Sequence, residues 1–401
     1  MPQHIGRGTT ALAVVLCGTA AVACAPTAGH GPRSSGVERP ATAPRAVPAA
    51  QQPRPFTLVA TGDVLPHDSV IRQAGVDAGP SDDGNYDFRP MLAGVRPVIS
   101  SADLAICHME TVYGERGDYS GYPAFKSPPQ IAKGLAATGY DACSTASNHS
   151  LDDGAAGIRR TLDALDTAGV RHTGSARTAA EATTPAWLKS AGAKVAQLAY
   201  TYGTNDYPLP EGQPWAVSLL DEEKIISDAR AARRAGADVV VLSLHWGTEW
   251  QTEPDATQLT LAKNLTASRT VGRPDVDLIL GTHAHVPQPY EKVNGTWVVY
   301  GMGDQIAGPM TNYSGSPDAR GNQGSIGRFT FTPPRAPGGR WEVTRAEFIP
   351  QWMDTVEGRV VNLPAALARG ADREDYSQAQ TSIRTAVLSR NAASDGLTMG
   401  R

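Results

Sequence analysis

"LILGTHAHVPQP", residues 278–289, carries an apolar run straight into a glycine and two histidines one residue apart. The run reads as a buried strand. Side chains alternate along an extended backbone, so His283 and His285 are expected on one side of it, offering two ring nitrogens in one direction. A His-x-His tip alone is as readily a pair of satisfied histidines as a metal pair. The choice depends on what stands at the ends of other strands.

The surrounding sequence supplies those strands. Upstream, "ADVVVLSLHWG" (237–247) is a second apolar run, set between an amphipathic helix at 221–236 and another helix at about 255–269. "FTLVATGDVLP" (56–66) reads as an apolar strand breaking at Gly62-Asp63, and "FRPMLAGVRPVISS" (88–101) as helical. "ADLAICHME" and "DACSTASNH" are strands that end in polar residues. Helices at 128–140, with proline in its first turn, and at 154–169, closed by glycine, follow them in turn. "AKVAQLAY" (193–200) and "TWVVYGMGD" are further strands. "GSIGRFTFTP" and "RWEVTRAEFIP" alternate apolar and polar residues around "PRAPGG", the pattern of an antiparallel hairpin. Strand–helix alternation predicts an α/β fold, a mainly parallel sheet covered on both faces. One domain is expected over 56–365, followed by a tail at 366–401 that is helical and then frayed.

Parallel sheets bind ligands at the carboxyl ends of their strands. Six predicted strand ends carry Asp63; Glu110; Asn148 with His149; His245; His283 with His285; and Asp304. Each has an ordinary explanation. Asp63 could cap a turn, Asn148 could hold one, and His245 beside Trp246 could be a satisfied, half-buried ring. Together they predict one shared polar site. Imidazoles suit Zn, Fe or Mn, whereas carboxylates and an amide oxygen suit harder ions such as Mg. The scarcity of cysteine argues against a structural cysteine–zinc site. The mixture is that of a two-metal hydrolytic centre, in which a carboxylate bridges ions about 3.5–4 Å apart and a bound water is acidified. The expected metal set is Asp63, Glu110, Asn148, His245, His283 and His285, holding one or two divalent ions, with Glu110 as the bridge. His149, next to Asn148, is left to face the substrate as general acid or oxyanion donor.

Composition bounds the rest. A net charge of −4 offers no basic surface, so no nucleic-acid partner is expected. "TTALAVVLCGTAAVAC" (9–24) is too short to span a bilayer and reads as an export signal. Its end, "AVAC", resembles a bacterial lipobox, with Ala21 where leucine is usual, and predicts a lipid anchor at Cys24. Plain secretion is the alternative. Residues 25–55, rich in Pro, Ala, Gly and Arg, read as a disordered tether. Cys107 and Cys143 are expected as unpaired buried thiols, because a direct cross-strand bridge strains disulfide geometry.

The series "GDVLP", "ADLAICHMETVYG", "DACSTASNHSLDDG", "LSLHWGTEWQTEP" and "DLILGTHAHVPQPYE" resembles the CapA-type poly-γ-glutamate capsule biosynthesis proteins, a branch related to calcineurin-like metallophosphatases. The likeness covers about residues 56–332. It implies a metallophosphatase-like α/β/β/α layered sandwich with mixed, mainly parallel sheets. It also implies an outward-facing role at the cell envelope in making, exporting or anchoring poly-γ-glutamate or a related polymer. Carried over, the six residues above would be metal or active-site residues, and Asn148, His149 and Glu249 would serve catalysis, Glu249 by touching a metal ligand or the substrate. Partners would be an anionic envelope polymer and membrane proteins of a synthesis or export complex. The chain departs from the pattern at Leu65, where a histidine is usual and His67 is a substitute. It departs again at His108-Met109-Glu110 in place of Asn-Leu-Glu, and at Asp304 in place of asparagine. Arg116 and Lys126 are candidates for polymer contact. A secreted metal-dependent phosphoesterase and a non-catalytic polymer-binding accessory protein remain as alternatives.

Overall fold

The computed structural model describes residues 52–80, 86–336 and 338–401. The export signal, Cys24 and residues 25–51 of the expected tether lie outside the described residues. Residues 52–55 are held to the body: the Arg54 backbone N–H donates to the Ala191 carbonyl, and its guanidinium lies 3.6 Å from Asp103.

The strands are β1 (Phe56–Leu65), β2 (Leu104–Met109), β3 (Ala142–Ser144), β4 (Arg171–Thr173), β5 (Ala186–Ser190), β6 (Ala193–Thr201), β7 (Val239–His245), β8 (Leu278–Thr282), β9 (Tyr290–Val293), β10 (Thr296–Val299), β11 (Asp304–Ala307), β12 (Gln323–Thr332), β13 (Glu342–Asp354), β14 (Arg359–Asn362) and β15 (Leu397–Met399). They form two sheets; two further two-stranded pairs, Val112–Tyr113 with Lys126–Ser127 and Arg269–Thr270 with Arg273–Pro274, stand apart from them. A nine-stranded sheet runs β14-β13-β12-β1-β2-β3-β4, with β11 also pairing with β1 and β15 with β13. A six-stranded sheet runs β9-β10-β8-β7-β6-β5. In the first sheet the β1–β2–β3–β4 half is parallel and the β14–β13–β12–β1 half antiparallel; in the second, β6–β7–β8–β10 is parallel, with an antiparallel pair at each edge.

Strand periodicity sorts the core into layers. On β1 and β2, Leu58, Ala60, Leu104 and Ile106 face inward and meet Val195, Val239, Val241, Leu278 and Leu280 of the second sheet. Val59, Ala105 and Cys107 point the other way, onto the helices α1 (Asp68–Ala78), α2 (Arg96–Ser100), α3 (Gln130–Thr138) and α4 (Gly154–Ala168). Val240, Leu242 and Leu244 pack under α5 (Glu222–Arg234) and α6 (Ala256–Ala267). This is the expected α/β/β/α sandwich. Among the described residues, no helix is long and apolar enough to cross a membrane.

Several expectations need correcting. Only Arg96–Ser100 of the 88–101 stretch is α-helical; Pro90 and Gly94 favour the turns that precede it. β1 does not break at Gly62-Asp63 but continues to Leu65 through an irregularity in its pairing with β2. The tail is not frayed. Its helices α7 (Leu363–Ala368) and α8 (Glu374–Leu388) place Leu363, Tyr376, Ile383 and Val387 in the inter-sheet core, and β15 pairs in parallel with β13. Residues 366–401 therefore belong to the same unit as 56–365.

Cys107 and Cys143 are bonded to each other. They are register partners on β2 and β3, with Cα atoms 4.4 Å apart, so the expectation of free thiols fails. Cross-strand pairing of parallel neighbours brought them close enough to bond. The bridge closes a loop between cysteines 36 positions apart, and the chain-entropy relation assigns it about 4 kcal/mol. Reduction should lower the denaturant midpoint correspondingly, measured with and without reductant at one pH.

Candidate metal centre

One rung near the carboxyl end of the parallel strands is polar in each sheet. Across the first sheet, Asp304, Asp63, His108, Ser144 and Thr173 are register partners on β11, β1, β2, β3 and β4. Across the second sheet, Thr201, His245 and Thr282 lie in register on β6, β7 and β8. The two rungs face each other: the His108 and His245 rings stack with centroids 4.7 Å apart. Asp63 takes its place where β1 distorts, and glycines allow that. A Cβ at Gly62 would sit 1.7 Å from the Gly303 carbonyl oxygen, so only glycine lets the 303–304 segment approach. Asp63 N–H donates to that same carbonyl at 3.0 Å.

His283 and His285 do meet the other ligands, but not by strand alternation. β8 ends at Thr282, and His283 and His285 have φ of 91° and 57°, left-handed conformations that side-chain-bearing residues seldom adopt. Backbone strain of this kind persists where surrounding contacts enforce it, often at functional sites. Here the His283 N–H donates to Asp63 Oδ2 at 3.1 Å, and His285 Nδ1 lies 3.0 Å from Asp304 Oδ1. Asp304 opens β11 beside Asp63; it does not close β10.

The expected residues converge. Asn148 Oδ1 lies 2.8 Å from His245 Nε2, whose other nitrogen is 3.0 Å from Thr282 Oγ1. Glu110 Oε1 is 3.8 Å from His245 Nε2 and 4.0 Å from His285 Nε2, placing Glu110 between the two sides. Asp63 Oδ1 is 3.6 Å from His108 Nε2 and 3.9 Å from His245 Nδ1. The Glu249 carboxylate, half-buried, groups with His283 and His285. His149 is set one residue off the cluster, its Nδ1 2.7 Å from Asp152 Oδ2. Asp152 was missed in the sequence, although the "HSLD" spacing puts a carboxylate three residues after the histidine. His67 belongs to none of the ligand groups; its Nδ1 is engaged by Leu65 O and Gly308 N. Lys126 is paired with Asp118 at 2.5 Å, while Arg116 is exposed.

The set suits divalent metal binding. Among the described residues, Asp63 Oδ1, both Glu110 oxygens, Asp304 Oδ2, His108 Nε2 and His283 Nδ1 are buried with no hydrogen-bond partner. Metal bonds of about 2.0–2.2 Å hold two donor atoms roughly 3–4 Å apart, which matches separations here that are too long for hydrogen bonds. Burial, assisted by the neighbouring Asp304 for Asp63 and by Asp63 for Glu110, holds both carboxyls far above their usual range. Burial pushes Asp304 up to about 6 and pulls His108 down to about 3. It also lowers His245 and His283. At His285 burial acts downward as well, but the Asp304 and Glu110 carboxylates outweigh it and leave the ring well above its ordinary value. Three carboxyls with so little hydration need cationic partners to ionise together.

A family model described as bacterial capsule synthesis protein PGA_cap matches residues 57–309, a span that contains every residue of this cluster. The chain belongs to the PGA_cap family. This PGA_cap protein is 27% identical over 181 residues to the capsule biosynthesis protein CapA of Bacillus anthracis, covering 44% of this chain and 42% of that one. It is 25% identical over 247 residues to the PGA biosynthesis protein CapA of Bacillus subtilis, covering 60% and 63%. The chain thus spans about half the length of the curated relatives it matches. Among solved structures, a calcineurin-like phosphoesterase of Bacillus subtilis overlaps 75% of this chain and 91% of its own, with 17% identity and a TM-score of 0.43.

Proposed function

We propose that this PGA_cap protein acts in the synthesis, export or anchoring of poly-γ-glutamate or a related anionic envelope polymer, through a metal-supported site that hydrolyses or transfers an amide or phosphoryl group. Family membership supports the capsule role. The convergence of Asp63, Glu110, Asn148, His245, His283 and His285, with buried donor atoms turned toward one another, supports the metal site. Divalent ions bound there would polarise the scissile group and lower the pKa of a water.

The chain's own residues then have definable tasks. Asp152 holds His149 Nδ1 and also accepts the Phe125 backbone N–H at 2.6 Å, so the exchangeable proton of the ring sits at Nε2. His149 can therefore deliver a proton to a leaving group one residue from Asn148, with Asp152 fixing the ring's orientation. Phe125 packs edge-on against the ring at 4.8 Å and restricts its orientation. Tyr202, half-exposed, lies 4.4 Å from the His283 ring and is placed to contact substrate. An outward location with a lipid anchor at Cys24, and partners among membrane proteins of a polymer complex, complete the reading.

The test is turnover by the metal-loaded protein of two substrates, γ-linked glutamate chains and bis(4-nitrophenyl) phosphate. Shortening or transfer of the glutamate chains, lost in His283→Ala, is the expected result. Turnover of the phosphodiester alone would replace this reading with a secreted phosphoesterase. Chain binding without turnover of either would leave a polymer-binding accessory protein.

A further inference from the structure

We propose that His108 is itself a metal ligand, and that it makes one side of the centre nitrogen-rich enough to select zinc-, iron- or cobalt-class ions over magnesium. The inference rests on the metal reading above and goes beyond it, because His108 lies outside the six residues of that reading.

Register places the ring. His108 is the direct neighbour of Asp63 on one side and of Ser144 on the other, all three on the same rung. The disulfide between the preceding residues, Cys107 and Cys143, ties these two strands together one step below. The serine sets the tautomer. Ser144 Oγ is 2.7 Å from His108 Nδ1 and 3.4 Å from the Cys107 carbonyl oxygen. With the hydroxyl proton directed to the Cys107 carbonyl, which can only accept, the serine oxygen accepts from Nδ1–H, and this is the tautomer the proposal requires. Nε2 is left with its lone pair directed into the centre, as in a ligating histidine whose second nitrogen is held by an outer partner.

That lone pair meets another. His108 is 2% exposed, and among the described residues its Nε2 has no hydrogen-bond partner. Its neighbour Asp63 Oδ1, at 3.6 Å, is also buried and unpartnered. The separation is too long for a shared proton and right for two atoms on one cation. His245 supplies a third donor to the same group, its ring nearly parallel to His108 at 22°. Two imidazoles and one carboxylate form a donor set for borderline ions, whereas magnesium keeps oxygen ligands and water.

The experiment is equilibrium dialysis of the full chain against Zn²⁺ or Mg²⁺ alone, with metal content by atomic emission, together with the visible spectrum of the Co²⁺-loaded protein. The wild type should prefer zinc. His108→Phe should weaken zinc binding about 100-fold or more, change the cobalt bands, and leave weak magnesium binding little altered. Ser144→Ala, which keeps the ring and removes only its lock, should weaken zinc about tenfold, and it serves if His108→Phe does not fold. Unchanged zinc affinity and an unchanged cobalt spectrum in the folded variants would overturn the role of His108 alone. A wild-type protein that takes up no metal would overturn it together with the reading on which it rests.

Discussion

Protein stripped of divalent ions by a chelator is expected to gain stability and release protons when Zn²⁺ or Mn²⁺ is returned. The stability part follows from mass action. An ion that binds only the folded state adds about 2.7 kcal/mol at a free concentration one hundred times its dissociation constant. The protons follow from burial. Asp304, pushed up to about 6, is about half protonated at pH 6 in the absence of an ion, and burial raises Asp63 and Glu110 in the same direction. Where Asp304 and Glu110 are ionised instead, their charge keeps a proton on His285. These groups must deprotonate to act as ligands. Calorimetric titration at pH 6 in two buffers of different ionisation heat should therefore show at least one proton leaving per ion, and fewer as the pH rises. His283→Ala and Asp63→Ala should abolish both the thermal gain and the proton release. A metal-independent melting temperature in the wild type, with no proton released, would remove the basis for a metal centre.

Much of this centre could be read from the chain, and the rest failed for identifiable reasons. The strand ends were legible because a buried parallel strand is an apolar run that stops abruptly at a polar residue, as at His245 and at Gly281-Thr282-His283. Register was not legible. Nothing in "GDVLP" shows that β1 distorts and carries Asp63 between His108 and Asp304, because that distortion depends on the close approach of Gly303 to Gly62. The geometry at His283 and His285 was misread for the same kind of reason. Period-two alternation gave the right outcome by the wrong route, since the chain leaves the strand at Thr282 and turns through two left-handed residues. The cysteine pair went astray because pairing depends on which strands are neighbours, a tertiary fact. The tail's helix was expected but its docking was not: α8 carries only a weak apolar stripe, yet Tyr376, Ile383 and Val387 suffice to close the inter-sheet core.

Replacing His149 should separate catalysis from metal binding. It is 6% exposed, fixed by Asp152 at Nδ1 and by Phe125 at its edge, so in the proposed mechanism it would contribute through a positioned proton and not through the ligand cluster. His149→Ala is expected to lower kcat by about 10²–10⁴-fold, the usual range for loss of a general acid, while metal content by atomic emission stays at the wild-type value. Asp152→Asn should fall between the two, since the ring keeps a partner but is held less firmly in its orientation. The loss should also depend on the leaving group. An amine or alkoxide leaves poorly without a proton, whereas 4-nitrophenolate leaves readily, so His149→Ala should cost much less on a nitrophenyl ester than on the polymer. A uniform loss on both substrates would assign His149 to transition-state charge stabilisation in place of proton transfer. Equal activity of His149→Ala and wild type at full metal loading would remove it from the mechanism, and the Asp152–His149 pair would then be a structural element of the turn after β3.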